Sequence, residues 1–249
     1  MSPTVGVDWG SGQWICAIRE GPGEWDLESH PSFLSVWHRH KDNIPILVDI
    51  PIGLVEEGLR ECDEEAREVL ESVRPNSVFW TPPRSAIEAK TYDEAKALTD
   101  ELSPKGLTTQ AWGIAPRIRE LDEFLAEVPE AQGKVRESHP EVCFAKLNGG
   151  EPPEPGKQDD EGIEARLDIL EDWEDGTREA YEELIEEYVE PPAHVRLVST
   201  NDRDDVVDAM ALALTVAKAD GEFETLPEEP PKDAERGIPI EIVYVDRRR

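Results

Sequence analysis

Lysine is scarce in this chain. Nine lysines and 17 arginines, 26 basic residues in all, face 57 aspartates and glutamates over 249 residues, for a formal net charge of -31 and a pI near 4.4. That balance argues against the usual mode of nucleic-acid binding, in which Lys and Arg neutralise phosphates. The acids are spread through every expected helix rather than gathered in one tail. Regular apolar patterns from Val5 to Val245 speak against the disorder that so much charge otherwise suggests. An acidic, Lys-poor surface suits a protein working in concentrated salt, where the Debye length falls to ~3 Å at about 1 M. In such a medium the electrostatic objection to a nucleic-acid partner is weakened.

Cysteine is equally sparse. Cys16, Cys62 and Cys143 lie far apart, fit no metal-ligand spacing, and their odd number suits a reducing compartment. Their apolar neighbours make them buried structural thiols. No apolar stretch approaches the ~20 residues of a membrane span, and the N-terminus lacks the basic, apolar, small-residue order of a signal peptide. The reading is a cytoplasmic protein with no membrane partner.

The periodicities predict strands over Thr4–Trp9, Trp14–Arg19 and Glu24–Glu28, with the turn Gly10-Ser11-Gly12 between the first two. A short helix over Pro31–His40 follows, then a strand over Ile44–Ile50, apolar enough to be buried on both faces. Val55–Arg74 predicts an amphipathic helix with the stripe Val55, Leu59, Cys62, Ala66, Val69, Leu70 and Val73. Arg60, Asp63 and Arg67 run beside that stripe, an intrahelical pairing worth a few tenths of a kcal/mol. Beyond lie a helix over Ile114–Val128, a strand over Lys134–Ser138, a short helix over Glu141–Leu147, acidic helices within Gly162–Tyr188 and a closing strand over Ile238–Val245. This order predicts an α/β, ribonuclease H-like mixed sheet: three antiparallel strands, then parallel ones, flanked by helices. It is read as a single domain, 1–249, with helical insertions at about 75–133 and 150–195.

Four aspartates sit within seven residues at Asp202, Asp204, Asp205 and Asp208, at the head of the Ala-rich apolar run that continues to Leu214. Asp205 and Asp208, three apart, project from one helix face. Acids in a first turn complement the helix dipole, but carboxylates on a buried helix must be paired, hydrogen-bonded or bound to a cation. Asp8 ends the first strand and Asp49 the buried one, and adjacent strands would bring them together beyond the strand ends. Two such carboxylates repel unless a cation lies between them. Capping of nearby turns is the ordinary alternative for both. Oxygen ligands of this kind suit Mg²⁺ or Mn²⁺ rather than zinc. Glu141 either completes the shell or occupies a helix first turn, and His139 either accepts a proton or hydrogen-bonds its loop.

At these residues the chain resembles the domain-of-unknown-function family 429, whose members are often described as predicted ribonuclease H-like nucleases. The matching pieces run from Val5-Gly6-Val7-Asp8 and Gly12-Gln13-Trp14, through Asp49-Ile50-Pro51-Ile52-Gly53-Leu54, Arg60 to Arg67 and Ser77 to Arg84, to Gln110–Asp122. They continue with His139-Pro140-Glu141, Lys157 with Gly162 and Arg166, Asp204 to Ala209, and Arg236-Gly237-Ile238 onward. The resemblance implies the ribonuclease H-like fold. It matches Asp8, Asp49, Asp205 and Asp208 to metal-holding carboxylates most like those of Holliday-junction resolvases; in a metal-dependent nuclease Asp8, Asp49 and Asp205 would hold the metals and Asp208 or Glu141 would complete the catalytic shell. It also implies that Arg60, Arg67, Arg84 and Lys157 surround the site and contact the phosphates of a nucleic-acid substrate. Two other functions compete. Gly10-Ser11-Gly12-Gln13 resembles the phosphate loop of actin-like kinases and ATPases, although no second copy of that loop occurs. A non-enzymatic scaffold would instead lock Asp8 or Asp205 to Arg60 or Arg203.

Overall fold

The computed structural model describes residues 2–70, 75–154, 156, 160–194 and 196–246. Lys157, the expected helix end at 71–74 and Arg247–Arg249 lie outside them. The elements are β1 (Thr4–Gly10), β2 (Gln13–Gly21), β3 (Glu24–His30), α1 (Phe33–His40), β4 (Ile46–Val48), α2 (Glu61–Val69), α3 (Arg84–Glu88), α4 (Tyr92–Leu102) and α5 (Thr109–Glu127). They continue with β5 (Val135–Glu137), α6 (Pro140–Leu147), α7 (Asp160–Trp173), α8 (Thr177–Leu184), α9 (Arg203–Ala219), β6 (Glu224–Leu226) and β7 (Ile242–Tyr244).

The main sheet has the order β3-β2-β1-β4-β5. β3, β2 and β1 form the antiparallel meander, and β1, β4 and β5 are parallel. Helices cover both faces, which is the ribonuclease H-like arrangement. Alternation along β2 explains the layering. Trp14, Cys16 and Ile18 face the core built with Phe33, Val36 and Trp37 of α1 and Ile118, Leu121 and Leu125 of α5. Ile15 and Ala17 face the opposite core with Leu167 and Leu170 of α7, Tyr181 of α8 and Met210 and Leu214 of α9.

The helix expected over Val55–Arg74 begins only at Glu61, with Arg60 as its N-cap. The preceding backbone groups are engaged elsewhere. Leu54 N donates to Asp233 Oδ2 at 2.8 Å, Arg84 N to Val55 O at 2.9 Å, and Gly58 N to Leu102 O at 2.8 Å. Gly58 has φ +82°, which no helix accommodates. The closing strand is also shorter than expected and lies outside the main sheet: Ile242–Tyr244 pairs with Glu224–Leu226 in a two-stranded ribbon. Residues before it turn back instead, with Asp233 N donating to Ile238 O at 2.9 Å and Ile240 N to Pro231 O at 2.8 Å.

α9 is buried along nearly its whole length because it lies across β1. Thr4, Gly6, Asp8 and Gly10 share one face of β1, and this is the face α9 meets. Thr4 Oγ1 donates to Ala213 O at 2.9 Å. A Cβ on Gly6 would stand 2.1 Å from Ala209 O and 2.4 Å from Ala213 N, so helix and strand touch backbone to backbone. Gly6→Ala is expected to lower stability by about 1–3 kcal/mol, read as a fall in the denaturant midpoint. Gly113→Ala in α5, where an added Cβ meets nothing within 4 Å, is expected to raise stability by about 0.5–1 kcal/mol.

Candidate metal centre

The close contact at Gly6 sets what happens two residues on. Asp8 follows Gly6 on the same face of β1, and Asp208 immediately precedes Ala209 on α9. The β1–β4 ladder ends at Val7 and Val48, and Asp49 N donates to Val7 O at 3.0 Å, so Asp49 emerges beside Asp8. One carboxylate oxygen from each of Asp8, Asp49 and Asp208 lies within 4.8 Å of the others. Asp208 is fully buried and Asp8 nearly so, while Asp8 Oδ1 also accepts from Trp9 N at 2.6 Å. Asp205, one turn earlier on α9, rests against the end of β1: a Cβ on Gly10 would fall 1.9 Å from its Oδ2.

These residues line a cleft of about 610 Å³. Its walls include Asp8, Asp49, Asp63, Glu137, Glu141, Asp205 and Asp208 together with Trp9, Phe79, Gln110, Ile114 and His139. Among the described lining residues there is no Lys or Arg. Glu141 stands in the first turn of α6, where Arg166 Nε donates to its Oε1 at 3.1 Å. Its Oε2 is buried and makes no hydrogen bond among the described residues. His139 Nε2 and Ser77 O lie 3.4 Å apart.

Of the arginines expected around the site, Arg60 and Arg84 are held inside the protein and Arg67 is half-buried, and none of the three lines the cleft. Arg60 is buried, bonded to Glu137 Oε2 and to Thr81 Oγ1 at 3.1 Å, and 3.5 Å from Asp63 Oδ1. The expected pair with Asp63 is therefore one arm of a larger buried group. Arg84, equally buried, donates to Asp122 Oδ2 at 2.9 Å and Asp233 Oδ2 at 2.5 Å. Arg67 donates to Val78 O and stacks over Trp80 at 4.5 Å. Arg203 lies 3.5 Å from Asp160. The Ser11 hydroxyl donates to Asp202 Oδ2 at 2.6 Å and accepts from Ser199 N at 2.7 Å, so the turn resembling a phosphate loop is tied to the segment ahead of α9.

Sequence reasoning passed over Glu137. Its signal was its place: Val48 pairs with Glu137, so β1, β4 and β5, three adjacent parallel strands, each carry an acid at or just beyond the end of their parallel pairing. Burial pushes Glu137 up to about 8; Arg60 pulls it down, and the neighbouring Asp63 adds to the rise. One guanidinium thus serves two desolvated carboxylates.

Among the described residues, two further groups have the donor atoms for an ion: Cys62, Asp63 and Glu137, already served by Arg60, and Cys16, His30 and His40. The same residues contain no helix long and apolar enough to cross a membrane.

A ribonuclease H-like sheet with converging carboxylates at the C-terminal ends of β1 and β4 defines the class of this protein. The family model described as "Protein of unknown function (DUF429)" matches residues 6–232, and the chain belongs to that family. Neither the curated proteins nor the solved structures include a significant match.

Removing Arg60 strands two buried acids. Arg60→Ala is expected to cost about 3–5 kcal/mol, measured by chemical denaturation. Because the folded state raises the Glu137 pKa, the stability it contributes is complete below its ordinary 4.5 and is lost as pH climbs to about 8. In Asp63→Asn that decline is expected to flatten and shift to lower pH, followed in the same denaturation series.

Proposed function

We propose that this protein is a metal-dependent nuclease that hydrolyses phosphodiester bonds of DNA or RNA, with Asp8, Asp49 and Asp208 holding Mg²⁺ or Mn²⁺ and Asp205 completing the set. The observation that carries this reading is the meeting of three carboxylate oxygens, from β1, the end of β4 and α9, within 4.8 Å of one another. The donor set fits the ion: all-oxygen, anionic and carried on rigid elements. When bound, such ions activate water and stabilise charge on the attacking and leaving oxygens of a phosphodiester.

The chain's own groups have complementary roles. Glu141, with Oε1 fixed by Arg166 and Oε2 unengaged among the described residues, accepts a proton at Oε2. Trp9 and Phe79 on the cleft wall offer aromatic faces for unpaired bases, a contact that does not depend on sequence. Arg60 acts by position, holding Asp63 and Glu137 of the cleft wall, while Arg84 holds Asp122 and Asp233; Lys157 and Arg67 remain the candidates for phosphate contact. A wall so rich in acids repels a phosphate backbone at low ionic strength, which ties the reading to cations in the site and salt in the medium.

The test is anomalous diffraction from crystals soaked in Mn²⁺ at high salt, paired with cleavage assays on single-stranded and branched DNA and RNA. A peak is expected between Asp8, Asp49 and Asp208, absent in Asp8→Asn. Mn²⁺-dependent cleavage is expected to fall on the order of 10²-fold or more in Asp8→Asn and Asp208→Asn. A folded wild-type protein that takes up no manganese at these residues would sink the mechanism.

A further inference from the structure

On the other side of the sheet, β2, β3 and α1 assemble a ligand set of different chemistry. Cys16 and Glu28 stand opposite each other in the β2–β3 ladder. His30, two residues past Glu28, shares their face. α1 packs on that face and delivers His40 as its last residue. His30 Nε2 lies 3.2 Å and His40 Nε2 3.1 Å from the same oxygen, Glu28 Oε2. A ring nitrogen of each histidine and Cys16 Sγ lie within 4.8 Å of one another. The other Glu28 oxygen, Oε1, accepts from Arg39 Nε at 3.1 Å and Nη2 at 2.8 Å.

Two histidines sharing a carboxylate would explain part of this group, but not all of it. The Cys16 thiol is fully buried and makes no side-chain hydrogen bond among the described residues, although a ring nitrogen of each of two imidazoles lies within 4.8 Å of it.

We propose that Cys16, Glu28, His30 and His40 form a four-coordinate site for Zn²⁺. One thiolate sulfur, two imidazole nitrogens and one carboxylate oxygen make a tetrahedral set of the kind zinc takes, whereas Mg²⁺ and Mn²⁺ favour oxygen. Zinc–ligand bonds of about 2.0–2.3 Å require neighbouring donors separated by roughly 3.3–3.7 Å on a tetrahedron; the 3.2 and 3.1 Å from His30 Nε2 and His40 Nε2 to Glu28 Oε2 are close to this, and Cys16 Sγ lies within 4.8 Å of a ring nitrogen of each histidine. With four protein ligands no position is left for substrate, so the site is structural. It staples the edge strand β3 and the end of α1 to β2. Arg39 orients the carboxylate from outside, as supporting groups around a metal do. His30 and Glu28 keep some solvent exposure, which leaves a way in.

Cobalt(II) is the probe, because a thiolate–cobalt charge-transfer band is silent to the many surface carboxylates. The full chain, stripped of metal and titrated in high salt, is expected to show tetrahedral cobalt bands and a near-ultraviolet thiolate band that saturate at one equivalent and are displaced by Zn²⁺. Cys16→Ser is expected to lose the thiolate band, while Cys62→Ser and Asp8→Asn retain it. Should Cys16→Ser fail to fold, His30→Gln, at the sheet edge, is expected to keep native circular dichroism and lose cobalt affinity by roughly tenfold or more. Absence of the band from folded wild type, its survival in Cys16→Ser, or unchanged affinity in His30→Gln would overturn the assignment.

Discussion

Everything at the acidic cleft depends on how closely a helix backbone can approach a strand. At Gly6 the main chains of β1 and α9 touch, and there is no space for one methyl group. That contact fixes the height and rotation of α9 over the sheet. The strand's period of two then carries the alignment outward: Gly6 takes the helix backbone, Asp8 meets Asp208, and Gly10 receives Asp205. Were α9 held further away by a side chain at Gly6, these acids would belong to separate surfaces. The alanines of α9 serve the same end, keeping the helix slender where it is covered by β1 on one side and α6 and α7 on another.

Burial divides the basic residues by type. Inside, arginine is used with carboxylates: Arg19 with Glu174, Arg60 with Glu137, Arg84 with Asp122 and Asp233, and Arg166 with Glu141. A planar guanidinium can serve two or three oxygens at once, which a lysine ammonium does less well in a confined space. These pairs link α2 to β5, α3 to α5 and to the segment before β7, and α7 to α6. Of these, the Arg60–Glu137 pair reaches a parallel strand directly, β5, whose end helps form the cleft.

Much of this was legible in the residues. Alternation and turn chemistry predicted the meander, and the apolar run at Ile44–Ile50 predicted a covered strand. Asp8 and Asp49 stood out because an acid closing an apolar strand needs a reason. Asp208 stood out because a helix so apolar is buried, and its acids with it. What was hidden depended on long-range register. Nothing near Glu137 announces that Val48 is its neighbour. Arg60 and Arg84 were placed around the site because their acidic partners are distant in sequence: Glu137 lies 77 residues from Arg60 and Asp233 lies 149 from Arg84. Cys16, by itself, resembles any core thiol; only the cross-strand pairing with Glu28 and the landing point of α1 give it company. The helix expected over 55–60 failed for a related reason, since its periodic apolar residues fit a helix while its backbone groups bond to Asp233, Arg84 and Leu102.

The buried arginine pairs give the molecule two populations of charge that respond differently to the medium. Surface acids, such as those on the outer faces of α7 and α8, feel ionic strength directly, because screening acts through solvent. The buried pairs are screened far less, being out of water. Lowering the salt therefore acts first on the acidic periphery and least on the buried pairs.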